Sequence, residues 1–359
     1  MTQSKVPLRS ILEVGGLVVM IALLAGCRMV SEENTLEAIE KSIQKITQQA
    51  GESVVVIDLI IKEGQNGAAD SIKITHRYGS GFVYRSDGII ITTDGVIGSD
   101  DSVRVITQQG EMIPATLIGR DFETNICVLK INKTDLLTLP LAENSIVNGS
   151  LGIMMGNTYY SEGLCCSWGI INRTWIGGGD FLDNKLFALH IQWPEVQSGA
   201  PVLNVKGQLI GMAEGHLEDC KSSWTVIPAK TIMTVAEKLI AEGSITRGWL
   251  GIRSNPVCPR EKTARLMKQW KGKGTVVSSI IPDSPADRIG IQVGDVIVSL
   301  NDKPVICVSD FRRLITAMSP GTEVLLDIIR DGEELVLKTR LGRLPSHPER
   351  QRRSIRRSV

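Results

Sequence analysis

The chain has 359 residues, 40 Lys plus Arg against 39 Asp plus Glu, a net charge of +1 and 42% hydrophobic residues. At about 150 residues per domain the length predicts two domains or three small ones. This composition excludes wholesale disorder, a collagen, a coiled coil and a multi-span membrane protein, and the balanced charge gives no general attraction to nucleic acid.

The N-terminus reads as a targeting segment. Lys5 and Arg9 precede an apolar run over 14–24, which is short for a membrane span of about 20 residues and suits a signal-peptide core. The run ends in Leu24-Ala25-Gly26-Cys27, a sequence similar to the lipobox of bacterial lipoproteins, which would make Cys27 the lipidated residue and residues 1–27 a removed signal. One acyl chain holds a membrane only marginally, so a stable anchor needs several. An uncleaved anchor and a plain secretory signal are the alternatives. In each case the body of the protein is expected outside the cytoplasmic membrane.

Residues 28–52 are expected to be a helical linker, because Leu36, Ile39, Ile43 and Ile46 keep helical spacing over 34–49. Short β-like runs follow: Val54–Ile61, Gly81–Tyr84, Ile89–Thr92, Val103–Ile106, Ile126–Ile131, Leu186–Ile191 and Leu209–Met212. Many strands at this spacing, without regular helices between them, predict an antiparallel barrel or sandwich over 53–245. Residues 230–242 read as a helix closed by Gly243. A mixed α+β unit is expected over 246–343. It has strands at Thr275–Ile281 and Asp295–Leu300, a helix at Asp310–Met318 capped by Ser309, and a hairpin of Val324–Arg330 and Glu334–Arg340 turned by Asp331-Gly332. The basic tail, 344–359, has no apolar face and is read as disordered.

Beside Cys27 there are six cysteines, and in an exported chain they permit disulfides without fixing their pairing. Cys127 and Cys307 stand in apolar runs, where buried free thiols are the commoner case. No Cys-x-x-Cys pair or histidine cluster is present, so neither a metal site nor a cofactor is expected.

Four collinear stretches carry a resemblance. Residues 79–97 (GSGFVYRSDGIIITTDGVI), 118–131 (IGRDFETNICVLKI), 196–211 (VQSGAPVLNVKGQLIG) and 247–252 (RGWLGI), with 286–343 behind them, resemble the HtrA/Deg family of envelope serine proteases over about 300 residues, Leu36 to Arg343. The resemblance implies a mainly β fold, a chymotrypsin-like double β-barrel followed by one PDZ domain. It places the nucleophile at Ser198. Where the family motif carries its histidine this chain has Gly95, and where it carries its aspartate this chain has Asn125. The oxyanion segment is Val196, Gln197 and Ser198, and Val196 stands where glycine is usual; a β-branched residue disfavours the positive φ that glycine tolerates. A serine without an adjacent base has no useful alkoxide population at neutral pH. The expectation is therefore a pseudoprotease, with Ser198 retained as a small residue in a tight turn.

The chain offers other side chains as candidate bases. His76 is read as a strand end before a loop at Gly79, His216 as lying in the loop after Met212, and His347 as part of the tail. His190, eight residues before Ser198 at the end of an apolar run, is the histidine nearest the site in sequence, and as a lone histidine at a strand end it is read as structural. Asp94 is read as a turn residue rather than a carboxylate for catalysis, and a dyad with Lys221 or Lys230 has only presence in its favour. Trp168, Trp175 and Trp193 are read as barrel core rather than cleft lining.

In a PDZ domain a peptide adds as a strand to a sheet edge and its carboxylate meets backbone N–H groups. The resemblance places that loop at Trp249, Leu250, Gly251 and Ile252, with Phe311, Leu314 and Ile315 on the opposite helix wall; packing in an occluded domain is the alternative. The basic stretch 260–273 is read as a solvated helix face. The expected partners are peptide or unfolded-protein C-termini, a membrane through the lipid anchor, and a homo-trimer or an active relative in co-assembly. An active serine endopeptidase with an unconventional base is the rival reading.

Overall fold

A computed structural model describes residues 35–64, 72–97, 102–143, 146–157, 164–176, 186–191, 198–217, 220–255 and 274–345. The chain divides into two compact units, Met1–Gln49 and Ala50–Val359. Helix α1 (Thr35–Gly51) accounts for the described part of the first, with Ile46 buried and Ile39 exposed.

Two closed antiparallel barrels open the second unit. The first is built from β1 (Val54–Gly64), β2 (Ile72–Arg85), β3 (Ile89–Thr92), β4 (Ser102–Ile106), β5 (Met112–Asp121) and β6 (Ile126–Ile131), in the order β1-β2-β3-β6-β5-β4. Alternation fills it: Val55, Ile57 and Leu59 of β1 share the core with Val83, Ile90, Val105 and Leu129. Asp87-Gly88 turns β2 into β3. Gly88 has φ +97°, and a Cβ there would press on the Ile131 and Lys133 carbonyls, so only glycine suits the turn.

The second barrel comprises β7 (Leu151–Asn157), β8 (Leu164–Ile176), β9 (Leu186–His190), β10 (Pro201–Leu203), β11 (Leu209–Leu217) and β12 (Cys220–Pro228), in the order β10-β11-β12-β9-β8-β7. Its core holds Met154, Phe187, Leu189, Val202, Trp224 and Val226. Helix α2 (Ala229–Glu242) follows directly. It buries Ile232, Val235, Ala236 and Leu239, and ends at Gly243 in the left-handed conformation, whose N–H reaches Leu239 O at 2.9 Å. Glu237 on α2 accepts from Tyr84 Oη at 2.8 Å and Arg85 Nη2 at 2.5 Å, tying the helix to the first barrel. Burial, then the hydrogen bond to Glu237, pushes the Tyr84 phenol up to about 12.

The last domain contains β13 (Gly248–Trp249), β14 (Ile252–Asn255), β15 (Thr275–Ile280), α3 (Pro285–Arg288), β16 (Val296–Leu300), β17 (Lys303–Pro304), α4 (Val308–Thr316), β18 (Glu323–Arg330), β19 (Glu333–Arg340) and β20 (Gly342–Arg343). Its main sheet runs β14-β15-β16-β18-β19, leaving β14 at an edge, and β13 pairs with β20. Phe311, Leu314 and Ile315 of α4 pack on Leu326 and Ile328 of the sheet. Asp331 and Gly332 have φ +52° and +93°, the two left-handed residues that a tight hairpin of this twist requires.

The mainly β architecture and the double barrel match the sequence reading, with four corrections. The strand read at Gly81–Tyr84 begins at Ile72, so His76 and Gly79 lie inside β2 and no loop stands at Gly79. His216 lies in β11, which continues past Met212 rather than ending in a loop. Helix α4 starts at Val308 with Cys307 as its cap, not Ser309, and this makes Cys307 exposed instead of buried. Trp168 is 53% exposed on β8, outside the core where it was expected.

Candidate functional site

Four pieces of backbone converge where the two barrels meet: the turn after β3, the turn before β6, the start of β10, and β11. Gly199 (φ +95°) locks the seam. Its N–H donates to Ala213 O at 2.8 Å, Ser80 N–H donates to Ser198 O at 3.1 Å, and a Cβ at 199 would overlap the Ser80 carbonyl. Ser198 is thereby held with its hydroxyl between two oxygens. Oγ donates to the Glu214 backbone carbonyl at 2.5 Å and lies 2.9 Å from Thr93 Oγ1.

Gly95 occupies a single 3₁₀ turn, Asp94–Val96. Arg120 of β5 braces this turn, with Nε donating to Asp94 Oδ1 at 2.5 Å and Nη2 to Ile97 O at 3.2 Å. Burial pushes the Asp94 carboxyl up against the opposing pull of Arg120. Asn125 adopts φ +54°, a conformation its short polar side chain tolerates. Its backbone O accepts from Asp94 N–H at 3.2 Å, and its Oδ1 accepts from Gly95 N–H at 2.9 Å. Its amide group donates to Glu214 Oε1 at 3.4 Å.

Glu214 is the residue that sequence reasoning missed. Ala213 pairs with Val226 and Gly215 with Thr225, so Glu214 is the extra residue of a β-bulge. A bulge re-aims a side chain, and here it turns the carboxyl toward Asn125. Burial raises the Glu214 pKa, with hydrogen bonds from Asn125 and Thr225 opposing the rise. The available signal was one acid inside the apolar run Leu209–Gly215. Thr93 and Arg120 gave no signal at all.

The structure thus brings Gly95, Asn125 and Ser198 into one neighbourhood. No imidazole reaches the Ser198 hydroxyl among the described residues. His190 ends β9, exposed, paired with Ser223 and Ile170. His216 packs its ring 4.1 Å from Trp224. His76 bonds Asp58 at 2.8 Å, and Arg104 Nη2 holds the same carboxylate at 2.5 Å. Lys230 is exposed in the first turn of α2. No group of three or more His, Cys, Asp or Glu suited to a metal occurs among the described residues. Cys27, the side chains of Trp175 and Lys221, Trp193, Val196, Gln197, the stretch 260–273 and His347 lie outside the described residues.

A second candidate surface opens the last domain. Gly251 has φ +89°, and a Cβ there would overlap Ser284 Cβ. The carbonyls of this loop point inward, Leu250 O accepting from Ala286 N–H at 2.9 Å and Gly251 O from Ile281 N–H at 2.8 Å. Neither the Leu250 nor the Gly251 N–H donates to another described residue. Leu250, Phe311, Leu314 and Ile315 are core residues, with Ile252 packed at the core's margin and Trp249 half-buried.

Comparison with known proteins agrees with this architecture. A trypsin-like peptidase domain matches residues 79–212 and a PDZ domain matches residues 248–341. A probable periplasmic serine endoprotease, DegP-like, of Pseudomonas fulva is 30% identical over 275 residues, covering 75% of this chain and 56% of its own length. The serine endoprotease DegS of Escherichia coli K12 is 29% identical over 281 residues, covering 75% of this chain and 77% of its own length. The chain spans little more than half the length of the DegP-like relatives it matches. Among solved structures, the serine endoprotease from Yersinia pestis superposes with a TM-score of 0.66 at 25% identity, covering 84% of this chain and 98% of that one. The HtrA-type protease AlgW with a decapeptide gives 0.71 at 22% identity, covering 85% and 99%. No helix among the described residues is long and apolar enough to cross a membrane. With two six-stranded barrels followed by a PDZ domain, and with these relatives, the chain belongs to the HtrA/Deg family.

Proposed function

We propose that this protein is an envelope-anchored pseudoprotease that binds the C-termini of peptides or unfolded proteins through its PDZ domain and does not cleave them. Ser198 holds the nucleophile position, Gly95 the histidine position and Asn125 the aspartate position, with Val196 at the head of the oxyanion segment. One observation carries the reading: the Ser198 hydroxyl has for partners a threonine hydroxyl and a backbone carbonyl, and neither accepts a proton at neutral pH. Loss of the base from such a triad costs on the order of 10⁶ in turnover.

Binding is assigned to the loop at Trp249, Leu250, Gly251 and Ile252. Its outward N–H groups suit a terminal carboxylate, and the edge strand β14 offers a ladder to an extended peptide. Leu250, Phe311, Leu314 and Ile315 form the floor beneath the last side chain, with Ile252 at its rim. Cys27 carries the lipid anchor, which puts the protein in the bacterial cell envelope.

Casein cleavage, run beside the Ser198→Ala variant, tests the first half of the proposal, and no serine-dependent turnover is expected. Fluorescence anisotropy with apolar-ended peptides tests the second. Saturable binding by the free-acid form and loss of binding by the C-terminal amide are expected. Serine-dependent cleavage would establish the rival reading, an active endopeptidase.

A further inference from the structure

A cavity of about 160 Å³ sits at the end of the first barrel where β1 begins and β2, β4 and β6 run out. This is the far end of β3 and β6 from Gly95 and Asn125, so the cavity belongs neither to the Ser198 seam nor to the PDZ loop. Its floor is Val55, Val83 and Ile131, each at most 2% exposed. One wall is the β4–β5 turn, closed by Thr107 N–H to Glu111 O at 3.0 Å. The other is the chain leaving β6, pinned by Leu136 N–H to Ser86 O at 3.2 Å, with Leu137 exposed at the lip.

The rim is charged unevenly. Lys133 spans the two walls to the Glu111 carboxylate and is neutralised by it. Glu52 and Asp135 remain, both exposed, and neither has an ion pair among the described residues; Asp135 accepts from Thr134 Oγ1 at 3.1 Å. An apolar floor of this size takes one ring, since a cavity of about 150 Å³ lined by Leu, Ile and Phe holds benzene. Two carboxylates without a cation above that floor attract positive charge and repel negative charge. We propose that the mouth of the first barrel binds a small organic ammonium whose apolar part is the size of a phenyl ring. The ring rests on Val55, Val83 and Ile131 and gives up its hydration there, while the ammonium stays in the wet rim beside Glu52 and Asp135. Nothing in this site depends on Ser198 or on the capture of a peptide.

The experiment records methyl NMR spectra of the full chain, labelled at Ile, Leu and Val methyls, during titration with phenethylammonium. Saturable shifts centred on the Val55, Val83 and Leu137 methyls are expected, at roughly millimolar Kd for a fragment of this size. Phenylpropionate, with the same ring and the opposite charge, is expected to bind at least about tenfold more weakly. Ethylammonium, which lacks the ring, is expected to leave these methyls unmoved. Glu52→Gln combined with Asp135→Asn keeps the shape of the rim, since both side chains are exposed and asparagine accepts the φ of +58° at 135. This double variant is expected to lose roughly fivefold in affinity for phenethylammonium. Absent shifts, shifts centred on other methyls, an equal response to phenylpropionate, or a double variant that binds phenethylammonium as tightly as wild type each overturns the proposal. So does ethylammonium moving the same methyls, which would mark a bare cation site.

Discussion

Arg247 and Asp121 join through two parallel hydrogen bonds, Nη1 to Oδ1 and Nη2 to Oδ2, the second at 2.7 Å. Arg247 directly precedes β13 and Asp121 ends β5, so the pair fastens the start of the PDZ domain to the first barrel. Their side chains are only 10% and 5% exposed. Thr124 Oγ1 adds a third bond to the carboxylate at 2.6 Å. Arg120, the preceding residue, braces the turn that carries Gly95. One strand end therefore fixes both the seam around Ser198 and the root of the PDZ domain.

Removing the guanidinium strands a buried carboxylate. Arg247→Ala is expected to cost about 3–5 kcal/mol, while the double replacement Arg247→Ala with Asp121→Ala, which leaves no unpaired charge, costs less. Denaturant unfolding of the three proteins measures both. An unshifted midpoint for Arg247→Ala would show the pair to be solvated.

Glu214 makes stability depend on pH. Burial raises its native pKa above the ordinary 4.5, so the native state holds a proton that the unfolded chain has released. Stability from this group is full below 4.5 and declines as pH rises through the native value. Glu214→Gln keeps an oxygen for the Asn125 amide and has no proton to lose. The variant is expected to gain in melting temperature relative to wild type as pH rises from 4 to 8, whereas the change at Asp94, also raised, is common to both proteins. Parallel curves across that range would contradict the assignment.

Much of this was legible in the residues and some was not. Continuous apolar runs marked β1, β3 and β6, because strands buried on both faces read as near-unbroken stretches of Val, Ile and Leu. The first half of β2, Ile72–Tyr78, alternates Ile72 and Ile74 with Lys73 and Thr75, but Gly79 and Gly81 read as a break, so one long strand is legible only as a strand end, a loop and a short strand. Gly95 and Asn125, proposed for the histidine and aspartate positions, were readable as such because the flanking motifs hold their spacing. Glu214 was not, since its role depends on a bulge that puts one residue out of alternation. Cys307 looked buried by its neighbours, but a cap residue lies outside the helix that packs.

Gly199 is the narrowest point of the seam between the barrels. Its φ of +95° disfavours any other residue, and the Ser80 carbonyl and Thr92 Oγ1 fill the place of a Cβ. Gly199→Ala is expected to destabilise the barrels by about 2–4 kcal/mol, combining backbone strain with a forced shift of β2. Ser198→Ala, which loses the contacts of a half-buried hydroxyl with Glu214 O and Thr93 Oγ1 and fits the same backbone, is expected to cost about 1 kcal/mol. Thermal unfolding of the two variants should therefore rank them widely apart, and equal losses would place the strain elsewhere.

Gly251 sets the same constraint in the PDZ domain, at the loop assigned to ligand carboxylates. A Cβ there collides with Ser284, whose hydroxyl accepts from Asp287 N–H at 3.2 Å to cap α3. The substitution Gly251→Ala is expected to push the loop off α3 and turn the Leu250 and Gly251 N–H groups away from a shared point. Peptide affinity should fall at least about tenfold, equivalent to about 1.4 kcal/mol. The control is Arg253→Ala on the neighbouring edge strand, whose exposed side chain takes no part in the carboxylate cradle, so the free-acid preference should survive it. If Gly251→Ala binds free-acid peptide as well as wild type does while its unfolding shows the loss of packing, the carboxylate is received elsewhere. The inward carbonyls of Leu250 and Gly251 argue against that outcome, because holding them with Ala286 and Ile281 commits the paired N–H groups to the open side.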